Sequence, residues 1–158
     1  MKIYSLRTVQ KLPISIEEAW NFFSDPKNLK IITPEYMGFD ITGGGDRPMY
    51  AGQIIQYIVK PVAGIKTKWV TEITHVNEPF HFVDEQRFGP YSLWHHKHFF
   101  REIEGGVEME DILDYKLPFG VIGRAVHKPV VRKKLEEIFA FRKKKLLEIF
   151  GEYKERSA

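Results

Sequence analysis

LWHHKHFFREIEGGVEMEDILDYK, residues 93–116, is the stretch on which the fold turns. Leu93–Glu104 and Val107–Lys116 flank Gly105-Gly106, and both runs alternate with the period of two that marks strands. On the first run Trp94, His96, His98 and Phe100 share one face, and Leu93, His95, Lys97, Phe99 and Arg101 share the other. On the second, Val107, Met109, Asp111, Leu113 and Tyr115 oppose Glu108, Glu110, Ile112 and Asp114. The charged sets read as the outer face and the aromatic and aliphatic sets as the inner one. A two-residue hairpin at Gly105-Gly106 predicts Glu104 opposite Val107, Phe100 opposite Asp111, His98 opposite Leu113 and His96 opposite Tyr115. Asp111 is then an acid on an apolar face, diagonal to His98 at ~7–8 Å.

Upstream, strand signals continue at Gly38–Thr42, Gln53–Lys60, Lys66–Val76 and His81–Phe88. Turn-like links separate them at Gly43-Gly44-Gly45-Asp46, 61–64, Asn77 to Pro79 and Gly89-Pro90, which predicts an antiparallel meander. Lys2 to Leu12 reads as another strand, ended by Pro13. Ser15 and Glu18 then form a capping-box pattern ahead of a short helix carrying Ala19, Trp20, Phe22 and Phe23. Asp25-Pro26 opens a second helical piece, closed by Thr33-Pro34. Downstream, Pro118 to His127 is a Gly-containing approach, and Pro129 suits the first turn of a helix. Val131 to Phe150 runs without a breaker to Gly151, and Val131, Leu135, Ile138, Phe139, Leu146, Ile149 and Phe150 form one apolar arc. The expected architecture is α+β, one domain over residues 1–158. A curved antiparallel sheet of about seven strands wraps a long C-terminal helix, with two short helices after the first strand.

At 158 residues, 43% of them hydrophobic, the chain can bury one core; 14% aromatic residues suit either a large core or a cavity walled by flat apolar surface. A net charge of +3 is too small to imply a nucleic-acid partner. The absence of cysteine removes disulfides, thiolate nucleophiles and zinc–cysteine sites. No run approaches the ~18 apolar residues of a membrane span, and MKIYSLRTVQ at 1–10 has no signal-peptide core, so a cytoplasmic location is the default expectation.

Four stretches, LPISIEEAWNFFSDPKNLKIITP at 12–34, GPYSLWHHKHFF at 89–100, VEMEDILDYKLPFG at 107–120 and IFAFRKKKLLEIF at 138–150, together with the element order, resemble the START-like superfamily. That superfamily, also called SRPBCC or helix-grip, includes birch-pollen-allergen-like proteins, lipid-transfer START domains, polyketide cyclases and coenzyme-Q-binding proteins. The resemblance is to a bacterial branch of ligand-binding members. It implies the helix-grip fold and a hydrophobic cavity, and no single activity.

The first functional expectation is binding or transport of a small hydrophobic molecule, whether lipid, isoprenoid, polyketide or aromatic metabolite. The second is a cyclase, dehydratase or hydrolase using Asp111 with His96 or His98 as acid and base. A third, weaker one is a module that binds a partner protein. Candidate ligand contacts are Trp69, Gln86, Trp94, His96, His98, Phe100, Met109, Asp111, Leu113, Tyr115, Leu135, Ile138, Phe139 and Arg142. Arg142 is the polar intruder in the helix arc and needs an anionic or carbonyl partner. Gln86 is preferred over Glu85 and Arg87 as the inward residue of its strand because a neutral amide is cheaper to bury. The register there depends on the link at Gly89-Pro90: a two-residue loop aligns Glu85 with Trp94, and a one-residue bulge brings Asp84 and Gln86 inward instead.

His96-x-His98 has metal-compatible spacing with Asp111 as a third ligand, but the expectation is no metal and no cofactor. Gly43-Gly44-Gly45 lacks the Gly-Lys-Ser/Thr of a phosphate loop and reads as a flexible tip that could gate the pocket. The basic runs Arg132-Lys133-Lys134 and Arg142 to Lys145 read as a solvated face, with transient contact to an anionic membrane surface as the alternative. The sequence carries no signal of oligomeric state.

Overall fold

The computed structural model describes residues 2–60, 65–118 and 127–155. Ordered along the chain are β1 (Tyr4–Leu12), α1 (Ile16–Phe23), two single-turn 3-10 segments (Pro26–Lys30 and Glu35–Met37), β2 (Asp40–Gly43), β3 (Gln53–Val59) and β4 (Thr67–Asn77). There follow β5 (His81–Phe88), β6 (Leu93–Ile103), β7 (Gly106–Lys116), a π-type turn (His127–Arg132) and α2 (Lys133–Phe150). The expected link at 61–64 and most of the approach from Pro118 to His127 lie outside the described residues.

The seven strands form one antiparallel sheet in the order β1-β7-β6-β5-β4-β3-β2. Register shifts interrupt β2–β3 once and β4–β5 twice. Such bulges bend a strand and increase its twist, which curves this half of the sheet. α1 starts as the sequence predicts: Ser15 Oγ accepts from the Glu18 N–H at 3.1 Å, and Glu18 accepts from the Ser15 N–H at 3.2 Å. Its buried face, Ile16, Ala19, Trp20 and Phe23, packs against Phe82 and Phe100 of the sheet.

The β6–β7 register differs from the expected one. Ile103 faces Gly106, so the turn residues are Glu104 and Gly105, with Gly105 at φ 74°. That is the left-handed conformation glycine adopts without penalty. The shift puts Phe100 opposite Met109, His98 opposite Asp111 and His96 opposite Leu113. A two-residue shift preserves the inner and outer faces, but it changes Asp111 from a diagonal neighbour of His98 into its direct partner. Gly106 leaves the turn for the strand. A Cβ there would stand 2.2 Å from the Leu12 carbonyl oxygen, so β1 and β7 meet only because this residue has none.

The C-terminal helix begins before Val131, in the π-type turn, and continues to Gly151, whose N–H caps the Leu147 carbonyl at 2.9 Å. The 18 residues of α2 span ~27 Å. Leu135, Phe139, Arg142 and Leu146 are buried along one line. Ile149, placed in the apolar arc by its spacing, is exposed instead. The last turn finds cover on the Phe150 side, where that ring meets Phe22 edge-on at 5.1 Å. The Gln10 side chain donates to the Lys143 carbonyl at 3.1 Å, tying α2 to β1. Gly43-Gly44-Gly45 is anchored rather than a free tip: the Gly44 carbonyl accepts from Gln53 at 2.8 Å, and these glycines do not line the cavity described below. No described helix is long and apolar enough to cross a membrane.

Candidate functional site

The sheet and α2 do not close on each other everywhere. Leu135 and Phe139 pack directly on Leu6, Leu113 and Tyr115, and farther along β1 and β7 a second cavity opens beneath α2, lined by Thr8, Gln10, Met109, Asp111, Ala140 and Arg142. Over β3 to β6 the layers separate around a cavity of about 160 Å³. A single buried water needs only ~10–15 Å³ on this measure, so the space admits more than an isolated water.

The walls come from four sources. β3 and β4 present Tyr57, Val59, Trp69, Thr71 and Ile73; α2 presents Leu135, Ile138 and Phe139; the segment after α1 presents Leu29, Ile32, Met37 and Phe39. Trp69, Tyr91 and Trp94 form an aromatic corner, with ring centroids 5.7, 5.0 and 4.8 Å apart for Trp69–Tyr91, Trp69–Trp94 and Tyr91–Trp94. The Trp69 indole N–H donates to Thr71 at 3.1 Å, so both polar handles are occupied.

Asp84, His96, His98 and Arg142 form an ionisable cluster in this lining, which also includes Lys134. β5 and β6 bring the first three together: Asp84 is opposite His96, and Phe82 is opposite His98 and stacks on its ring at 4.2 Å. Asp84 Oδ2 lies 2.7 Å from His98 Nε2 in a hydrogen bond and 3.6 Å from His96 Nδ1. Behind the two rings, on the side away from the cavity, Asp111 Oδ1 lies 2.8 Å from His98 Nδ1, 3.2 Å from His96 Nε2 and 3.7 Å from an Arg142 terminal nitrogen. The imidazoles therefore stand side by side between two carboxylates, their centroids 3.9 Å apart. Three buried atoms of this cluster, His96 Nε2, Asp111 Oδ1 and Arg142 Nε, have no well-directed hydrogen bond among the described residues.

The electrostatics divide the two histidines. Burial works against a charged Asp111, yet contacts with His96, His98 and Arg142 hold its carboxyl well below the usual range. Asp84 is likewise lowered against the cost of burial, through its hydrogen bond to His98 and nearby positive charge. His98 rises despite burial because Asp111 and Asp84 both favour its protonated ring. His96 falls, through burial first and the charge of His98 second. The cluster thus favours two ionised carboxylates and pushes the two imidazoles apart, His98 toward its protonated form and His96 toward its neutral one. Burial also raises the Tyr57 and Tyr91 phenols.

Several residues expected at the site occupy other places. Trp69, Trp94, His96, His98, Leu135, Ile138, Phe139 and Arg142 line the cavity. Phe100 and Met109 do not; α1 covers them within the core around Leu12 and Trp20. Leu113 and Tyr115 are sealed beneath α2. Asp111 backs the histidines and, with Met109, lines the second cavity, against β1 and α2, instead of this one. Gln86 shares the inward parity of Asp84 but is used up by the neighbouring link, donating to the Tyr91 carbonyl at 2.6 Å and accepting from its N–H at 3.2 Å. The sequence leaves Asp84 as one of two alternatives because the β5–β6 register rests on a link, Gly89 to Ser92, with no standard hairpin signature. Tyr57, Thr71 and Ile73 were legible in the alternation of β3 and β4, had those strands been assigned faces.

No protein-family model matches this sequence, and no curated protein matches it. Solved structures do. The fold is similar to that of protein CV1439 from Chromobacterium violaceum, with a TM-score of 0.71 and 14% identity over 94% of this chain and 99% of that one. It is similar to a START superfamily protein from Mycobacterium smegmatis, with a TM-score of 0.69 and 14% identity over 92% and 96%. Ara h 8.0201, a birch-pollen-allergen-like protein, aligns with a TM-score of 0.60 and 14% identity over 93% and 99%. The chain thus has the START-like helix-grip fold, and at these identities the likeness reaches no further than the fold.

Proposed function

We propose that the protein binds a small, mainly apolar molecule in the cavity between α2 and β3–β6, with one polar group of the ligand held at Asp84, His96, His98 and Arg142. One observation carries this reading: an aromatic and aliphatic cavity in which Asp84, His96, His98 and Arg142 cluster at one place. Apolar walls supply affinity through burial, and a few fixed polar groups supply orientation. The class of ligand is hydrophobic with a hydrogen-bonding or anionic end, which suits a lipid, isoprenoid, polyketide or aromatic metabolite. Native mass spectrometry of the purified chain, followed by organic extraction, tests it. A released apolar compound supports the reading. An empty protein that also fails to quench Trp69 and Trp94 fluorescence with any of a panel of such compounds overturns it.

A second reading is acid–base turnover of the bound molecule. It is favoured by two adjacent imidazoles, 3.9 Å apart, whose surroundings push their proton affinities in opposite directions, the arrangement proton transfer needs. The acid that faces the cavity in such a reaction is Asp84, with His98, instead of Asp111. Loss of turnover in Asp84→Asn with ligand binding retained separates this reading from simple binding.

A further inference from the structure

The same cluster has the construction of a metal site, and this inference goes beyond ligand binding and stands without it. Asp84, His96 and His98 each offer one ligand atom, and these atoms all lie within 4.8 Å of one another. Divalent ions such as zinc bind imidazole nitrogen and carboxylate oxygen at ~2.0–2.2 Å, which places neighbouring ligand atoms ~2.9–3.4 Å apart. The separations from Asp84 Oδ2, 2.7 Å to His98 Nε2 and 3.6 Å to His96 Nδ1, bracket that range. The three atoms together lie within 4.8 Å, so side-chain rotation that draws the two imidazoles together would centre an ion.

The far side of each ring completes the pattern. A metal-binding histidine characteristically donates its other N–H to a carboxylate, which sets the tautomer and aims the free lone pair. Here one carboxylate oxygen stands behind both rings, within contact distance of each but without a well-directed hydrogen bond to either. Asp111 Oδ1 stands 2.8 Å from His98 Nδ1 and 3.2 Å from His96 Nε2, leaving His98 Nε2 and His96 Nδ1 turned toward Asp84. His96 is 4% exposed, and its Nε2 makes no well-directed hydrogen bond among the described residues, so an ion at Nδ1 would fix the orientation of a ring that Asp111 alone does not.

We infer that Asp84, His96 and His98 form a two-histidine, one-carboxylate site for a divalent transition-metal ion, with Asp111 as the positioning residue behind both rings and the open coordination positions facing the apolar cavity. The ion takes the place of the proton shared by His98 and Asp84. Nitrogen and oxygen donors of this kind select zinc, iron, cobalt or manganese over calcium or magnesium, which prefer oxygen alone. A carbonyl, carboxylate or hydroxyl at the end of an apolar ligand would fit the open positions.

The test is calorimetric titration of the chelator-treated full chain with zinc chloride, paired with visible absorption on adding cobalt(II) chloride. The expected result is one equivalent bound and a cobalt ligand-field spectrum. Asp84→Asn and His96→Gln, each checked for folding by circular dichroism, weaken binding by about 100-fold or more, since even removal of supporting residues typically costs about 10–100-fold. His95→Gln, on the outer face beside Glu85, leaves it unchanged. Absence of saturable binding up to millimolar metal overturns the inference. So does binding that survives both Asp84→Asn and His96→Gln, or that is lost in His95→Gln, because the ion then sits on the surface.

Discussion

Replacing Asp111 by asparagine preserves shape and removes one charge from the centre of the cluster. The side chain is 2% exposed, and those of His98 and Arg142 are 9% and 11% exposed, so water reaches none of the three freely. Asp84 is then the one carboxylate left facing Arg142 and an imidazole that its neighbours push toward protonation. Removing one member of a buried ion pair typically costs ~3–5 kcal/mol, because the partner keeps its desolvation penalty without its counter-charge. We expect a loss near the lower end, about 3 kcal/mol, because Asp84 still hydrogen-bonds His98. Arg142→Met should cost less, about 2 kcal/mol, since the guanidinium approaches Asp111 no closer than 3.7 Å and Asp111 keeps both imidazoles.

The double variant is the discriminating one. Removing both charges leaves no orphan, so it should cost about 3 kcal/mol instead of the additive 5, a coupling of about 2 kcal/mol. Urea unfolding of the chelator-treated protein at pH 7, with the slopes compared between variants, measures all three. A single-variant loss below about 1 kcal/mol for Asp111→Asn, or additivity within about 0.5 kcal/mol, refutes the reasoning that these charges form one buried unit.

Other expectations follow from the same geometry. Asp111 and Asp84 have folded-state carboxyls held below their ordinary values, so their stabilisation is complete above about pH 4 and drains as pH falls through the lowered values. Urea midpoints across pH 2–6, roughly the carboxylate range, should show a steep acid limb that flattens in Asp111→Asn. Leu146→Ala removes a side chain with 0% exposure and should cost ~2–5 kcal/mol; Leu147→Ala, one residue on and 39% exposed, should cost under ~1 kcal/mol, as thermal or urea unfolding would show. Gly89→Ala places a methyl 2.4 Å from Gln86 Oε1 and should break the Gln86 clamp on Tyr91, shifting the emission of the adjacent Trp69 and Trp94. Ser15→Ala should cost about 1 kcal/mol through loss of the α1 cap, read from the unfolding midpoint.

The helix-grip order was legible in the chain because each of its signals is local. Ser15 and Glu18 announce α1, glycine and proline punctuate the strands, alternation at 93–116 separates an inner face from an outer one, and the run to Phe150 carries a helical stripe. Even Arg142 stood out, as a charge in an apolar arc. These features depend on residues one to four positions apart, which the backbone geometry of helix and strand converts directly into shared faces.

The site itself was decided by register, which is not local. A two-residue displacement at Gly105 made Asp111 the direct partner of His98, and the link at Gly89 to Ser92 set Asp84 against His96. Nothing within a strand distinguishes Asp84 from Gln86, since both point inward; the Tyr91 backbone captures one and leaves the other to the histidines. Which inner-face residues meet a cavity depended on where α2 touches the sheet. Leu113 and Tyr115 lie under the contact and Trp69 and Thr71 lie beyond it, although alternation assigns all of them to the interior. Periodicity determines which way a side chain points; only the packing of distant elements determines what it points at.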